Sequence, residues 1–197
     1  MPVSYTNWKG DRYTLYQRET IYGTFQYYFA KSSDRGTQCR EIPEGYEIRE
    51  SVNGRVSLAK IRPVQIKDDE VQTIENLLDK HPQRKAYRLS VRGKRIEIYE
   101  FAGPDPDVVI GIFERSGMSI GERKRQRLED ELSRQARYEA VLRFVLMDEK
   151  ERTFRAERMS YLSGIEDWIE IGGRTGIAAL ANEILPLLGT DEFFEIL

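Results

Sequence analysis

The pattern that most constrains this chain runs from Ala140 to Ala156. Ala140, Leu142, Phe144 and Leu146 alternate with other residues up to Asp148-Glu149-Lys150-Glu151, and Phe154 and Ala156 resume the alternation beyond it. A period of two places these side chains on one face of a long antiparallel hairpin with the charged tetrad as its turn. Such a face must be covered by another layer, so the chain belongs to a class built on a sheet.

A second hairpin reads as clearly. Leu89 pairs with Ile98 and Val91 with Ile96 across a Gly93-Lys94 turn, which leaves Arg88, Ser90, Arg92, Arg95 and Glu97 on the other face. Earlier in the chain, residues 13–17, 21–29, 46–50 and 55–61 are rich in aromatic and β-branched residues and are punctuated by Gly and Asn, as strands are. At Asn53-Gly54 a two-residue loop would waste the apolar face. A three-residue loop, Val52-Asn53-Gly54 with Gly54 left-handed, sets Ile48 opposite Leu58 and Glu50 opposite Val56, and is the expected turn. The run Val108-Val109-Ile110-Gly111-Ile112-Phe113 has no polar alternation and reads as a central strand covered on both sides.

Helical signals are fewer. Asp68 or Asp69 caps a helix that carries Val71, Ile74, Leu77 and Leu78 on one face, with Ile66 as a staple, and His81-Pro82 ends it. Ser119 and Glu122 form a capping box for a charged helix reaching about Ala136. Ser163 and Glu166 suggest one capped turn. Ile177, Leu180, Ala181, Ile184, Leu185 and Leu188 form a last helical stripe ended by Pro186 and Gly189, with Phe193-Phe194 docking as a plug. The expectation is an α+β fold with mostly antiparallel, strand-rich sheets and about three helices packed on one side or at the edges. No linker and no internal repeat divides the chain, so residues 1–197 read as one domain.

Composition decides chiefly what is excluded. With 40% hydrophobic and 32% charged residues and a net charge of −2, a packed core and a solvated surface are expected, without overall attraction to nucleic acid or anionic lipid. The single histidine and single cysteine rule out multi-histidine metal sites, zinc ribbons and paired-thiol redox centres built from one copy. His81 before Pro82 complements a helix dipole, and Cys39 reads as an ordinary thiol. No GxGxxG or GxxxxGK[ST] pattern is present, no apolar run is long enough to span a membrane, and no leader-like start is seen. No cofactor and no metal are expected, and the chain reads as a cytoplasmic protein in a reducing compartment.

Three constellations remain as candidate sites. Gly172, Gly173, Arg174 and Thr175 open the last helix, where free amides and a cation suit a phosphate or carboxylate; the plain alternative is a glycine-rich turn. Arg123, Lys124, Arg125 and Arg127 lie in the first turns of a helix whose dipole disfavours them, and the face bearing Arg88, Arg92 and Arg95 adds cations. Both sets suit nucleic-acid phosphate or an acidic protein, although Glu129, Asp130 and Glu131 follow the first set at pairing distance. Nine aromatics fall within the first 29 residues, which serves either sheet packing or a recognition face.

Pro106-Asp107 with Glu122-Arg123-Lys124 resembles the PD-(D/E)xK nucleases, which would imply metal-dependent phosphodiester cleavage. Chance supplies about 1.5 acid-x-lysine triplets in such a chain; it holds two, one in a helix start and one in a turn rather than on a strand. Ile42-Pro43-Glu44-Gly45-Tyr46-Glu47-Ile48 with Asn53-Gly54-Arg55-Val56, and the stretch from Asp167-Trp168-Ile169 through Leu185-Pro186 to Phe193-Phe194, resemble runs in uncharacterised bacterial proteins. That resemblance implies a bacterial cytoplasmic origin and no particular activity. The reading is a non-enzymatic protein-interaction module, through a protein partner or self-association. The alternative is a nucleic-acid-binding protein that uses a local Arg/Lys patch.

Overall fold

The computed structural model describes the chain apart from residues 34, 104–105, 118–120, 136, 163–164 and 196–197. Its first elements are strands β1 (Ser4–Thr6), β2 (Arg12–Glu19), β3 (Phe25–Ala30), β4 (Thr37–Gln38), β5 (Tyr46–Glu50) and β6 (Val56–Lys60). Helix α1 (Asp68–Leu78) precedes β7 (Tyr87–Arg92) and β8 (Arg95–Phe101), and helices α2 (Pro106–Arg115) and α3 (Glu122–Gln135) follow. The chain ends with β9 (Tyr138–Asp148), β10 (Thr153–Leu162), β11 (Ile165–Gly176), α4 (Ile177–Ile184) and α5 (Asp191–Glu195). The class is α+β with antiparallel pairing throughout the described sheets, and it holds five α-helices where about three are expected.

Two compact units share the chain, Met1–Ile61 with Ala102–Arg137, and Arg62–Phe101 with Tyr138–Leu197. In the first unit β2 pairs with β1, β3 and β4, while β5 and β6 form a separate hairpin. Ile48 faces Leu58 and Glu50 faces Val56, and Gly54 has φ +75, so the three-residue loop forms in the expected register. Asn7 explains why that loop keeps its shape. Its Nδ2 donates to Gly54 O at 2.6 Å, Trp8 Nε1 donates to Val52 O at 3.0 Å, and the Trp8 and Tyr5 donors bind the two Glu50 oxygens at 2.8 Å. The N-terminal aromatics divide: Tyr16 is buried and stacks on Tyr28, whereas Tyr22 and Phe25 are exposed. The stretch expected to begin at 21 as a strand is a tight loop up to Thr24, closed by Thr20 N–H to Thr24 O at 2.8 Å, and β3 starts at Phe25.

One expectation fails here for a physical reason. The apolar run at 108–113 is helix α2, not a central strand; Ile110 is buried while Val108, Ile112 and Phe113 are exposed. A short apolar run carries no period that separates a buried strand from a helix. The expected cap Ser119 lies outside the described residues; the first bonds of α3 run from Lys124 and Arg125 N–H to Gly121 O.

The second unit is an antiparallel meander of β7, β8, β9, β10 and β11 in that spatial order. Leu89 faces Ile98 and Val91 faces Ile96, as the sequence predicts, while Phe154 faces Leu146 and Ala156 faces Phe144. Alternate residues Ile96, Ile98, Leu142, Phe144 and Phe154 are fully buried with Ile74 and Leu78 of α1 and Leu180 and Ile184 of α4. Each such side chain contributes about 1.5–3 kcal/mol by leaving water. The expected turn at Ser163 and Glu166 is overturned in part: Ser163 is outside the described residues, and Glu166 is the second residue of β11. Phe193 is buried as expected of a plug, but Phe194 is 54% exposed.

The entry to α1 is held from a distance. The cap residue is Lys67, not Asp68 or Asp69, because Glu70 turns back and accepts Lys67 N–H at 2.8 Å. Arg152, left-handed at φ +51 in the β9–β10 turn, donates Nε to Glu70 Oε1 at 2.8 Å and Nη2 to Gln65 O at 3.1 Å. A charged pair thus joins the helix start to a hairpin far along the chain.

Candidate interaction surface

The β7–β8 hairpin, at one edge of the meander, carries the predicted candidates Arg88, Arg92 and Arg95. Gly93 has φ +55 and occupies the first position of a two-residue turn, so Arg92 and Arg95 form the hydrogen-bonded pair that closes it. Antiparallel pairs alternate, so Ser90 with Glu97 and Arg88 with Tyr99 also bond mutually, and Leu89 and Val91 turn their N–H and C=O groups away from β8. The edge is closed at both ends. Gln65 N–H donates to Gly93 O at 2.9 Å, and Arg84 Nη1 donates to Tyr87 O at 2.9 Å. Between them, no hydrogen bond reaches the outward groups of Leu89 or Val91 among the described residues.

A groove of about 540 Å³ lies against this edge, lined by Val64, Ile66, Val71 and Val91, with Asp68, Gln72 and Glu75. Its apolar walls follow from the sequence. Val91 points to the helix side because Ser90 and Arg92 point away, and Val71 lies on the flank of the α1 stripe that Ile74 and Leu78 bury. Val64 is 54% exposed in it.

The opposite face of the sheet is charged. Arg88 stacks over the Tyr138 ring at 4.6 Å, Arg92 is exposed, and Arg95 Nη1 is 3.9 Å from Glu97 Oε1. Tyr99 donates its hydroxyl to Glu97 Oε2 at 2.9 Å; burial foremost, and then this carboxylate, push its pKa up to about 12. Further across, Glu157 is buried between the guanidinium groups of Arg143 and Arg155, the latter at 2.5 Å, and Arg155 also lies 3.5 Å from Glu170. Arg143 stacks at 4.0 Å over Trp168. Nε of Arg155 is buried without a hydrogen-bond partner, so this network is satisfied incompletely.

The other candidates lie elsewhere. Arg123, Lys124, Arg125 and Arg127 are exposed along α3, in the unit that does not contain β7. Gly172 to Thr175 end strand β11 rather than forming a loop. A Cβ at Gly172 would stand 2.8 Å from Leu180 Cδ2 and 3.2 Å from Ala156 Cβ, so this glycine admits α4 onto the sheet. Thr175 pairs with Phe154, and α4 begins only at Ile177. His81 accepts Gln83 N–H on Nδ1 at 3.1 Å and meets the Tyr87 ring edge-on. Cys39 is buried, which pushes its thiol pKa up and away from nucleophilic use. Among the described residues no group of His, Cys, Asp and Glu is arranged to hold a metal, and no helix is long and apolar enough to cross a membrane.

Sequence reasoning found the cations of the β7–β8 hairpin and missed the groove, whose residues come from two separate stretches, 64–75 and Val91. It also missed Glu157 and Arg143. For Arg143 the signal was available: a single charge set between two buried residues of a strong strand, at Leu142-Arg143-Phe144. Comparison with protein-family models, with curated proteins and with solved structures finds no match to this chain.

Proposed function

We propose that this protein is an interaction module that takes an extended peptide segment of a protein partner along β7, adding a strand to the five-stranded sheet. The observation that supports this reading is the pair Leu89 and Val91, whose outward backbone groups lie unbonded beside an apolar groove. Strand addition supplies affinity through main-chain hydrogen bonds and selectivity through alternate side-chain pockets. The groove volume lies within the roughly 300–1,000 Å³ of common binding sites.

Panning a peptide-display library on the intact protein tests it. Selected peptides should bind the wild type and lose binding in Val91→Pro, which removes an outward N–H without breaking a bond to β8. Arg127→Ala should leave binding unchanged. Binders that ignore Val91→Pro would refute the reading.

The exposure of Arg123, Lys124, Arg125 and Arg127 favours the second reading, nucleic-acid binding. It predicts mobility shifts that weaken steeply with salt and are lost when these four are replaced by glutamine.

A further inference from the structure

We infer that the segment fitting the β7 edge is an extended peptide of about five residues that alternates acidic and aliphatic side chains, and not a second copy of this chain. The inference rests on the strand-addition reading. The edge is bounded: Gln65 closes it at Gly93 and Arg84 at Tyr87, leaving four backbone groups on Leu89 and Val91. An added antiparallel strand bonds to those two residues, and its residues opposite them point to the same side as they do. That side is the groove of Val64, Ile66, Val71 and Val91, which accepts aliphatic side chains and whose rim acids Asp68 and Glu75 disfavour carboxylates. The flanking residues of the added strand fall opposite Arg88, Ser90 and Arg92, where two guanidinium groups and no carboxylate line β7. Arg95, across the turn from Arg92, lies on the same face but is 3.9 Å from Glu97, so Arg88 and Arg92 carry the charge preference.

The same charges exclude the second copy. The only antiparallel register that uses all four outward groups of both strands pairs Leu89 with Val91 of the other copy. It also places Arg88 opposite Arg92 of the other copy, and the reverse, and like charges directly opposite one another oppose pairing.

Blocked peptides carrying Glu-Val-Glu-Val-Glu, Thr-Val-Thr-Val-Thr and Lys-Val-Lys-Val-Lys test the inference when titrated into the full chain and followed by amide chemical shifts. The glutamate peptide should bind about tenfold tighter than the lysine peptide, with an advantage that shrinks as salt rises and reverses in Arg92→Glu. All binding should be lost in Val91→Pro. Equal affinities that Val91→Pro abolishes would overturn the charge pattern and leave strand addition standing. If no peptide binds, or binding survives Val91→Pro, both fail. A dimer in sedimentation that Val91→Pro dissociates would name the second copy as occupant and overturn the inference. The salt series needs no variant, so a misfolded Arg92→Glu protein would not spoil the test.

Discussion

The two faces of the meander use the same strands, residue by alternate residue, and are held in opposite ways. On the helix side Ile96, Ile98, Leu142, Phe144 and Phe154 are fully buried. On the other side Arg95 pairs with Glu97, and Arg143, Glu157, Arg155 and Glu170 form a chain of ion pairs. Burial of aliphatic and aromatic groups is non-directional and supplies most of the stability. Desolvated ion pairs roughly break even energetically, yet a slip of one residue along β9 would carry Arg143 into the apolar layer. The apolar face therefore supplies most of the stability, and both faces penalise a slip of register.

The largest expected effect tests the first half of that contrast. Phe144→Ala should cost about 3–5 kcal/mol, read from denaturant unfolding. A cost below about 1 kcal/mol would mean that the helix side is not the main source of stability.

Next comes the charged face. Glu157→Gln removes the charge between two guanidinium groups, leaving Arg155 only Glu170 and Arg143 only the Trp168 ring, and should cost about 2–3 kcal/mol. The double variant Arg143→Met with Glu157→Leu should cost less than Glu157→Gln alone, because partners leave together. Additive losses would show that the pair contributes stability outright.

Gly172→Ala probes the close approach of α4 and should cost about 1–2 kcal/mol. An unchanged unfolding midpoint would show that Leu180 and Ile184 can give way.

The smallest effect concerns pH. Tyr99 titrates at about 12 in the fold against an ordinary 10.0, so its neutral form is the one the fold stabilises. Its contribution is full below pH 10.0 and is lost as pH rises toward 12. Tyr87, raised by burial and by Glu100, acts in the same direction. Unfolding midpoints across that range should fall less steeply in Tyr99→Phe than in the wild type.

Much of the fold was legible because its signals are local. The Gly93-Lys94 turn sets the register of β7 on β8, and the Asn53-Gly54 loop sets that of β5 on β6. Where local signals are weak, the reading failed. Val108 to Phe113 has the composition of a strand and the structure of a helix, and β11 hides behind Glu166-Asp167 and Gly172-Gly173, residues that strands seldom favour. The site was half legible for the same reason. Arg88, Arg92 and Arg95 follow from alternation in one hairpin, but the groove needs α1 and residue 64 brought beside β7, which no local pattern encodes.

The hydrogen bond from Ala102 N–H to Arg137 O, at 2.7 Å, adjoins the Phe101–Tyr138 pair, so residues 102–137 form one loop closed at its base. Closure entropy grows by only about 0.6 kcal/mol for each doubling of loop length. Exchanging this segment for a four-residue turn would therefore change the closure term by roughly 2 kcal/mol. The β8–β9 connection is thus where folding meets the longest loop search between neighbouring strands of the meander, at a closure cost only modestly above that of a tight turn.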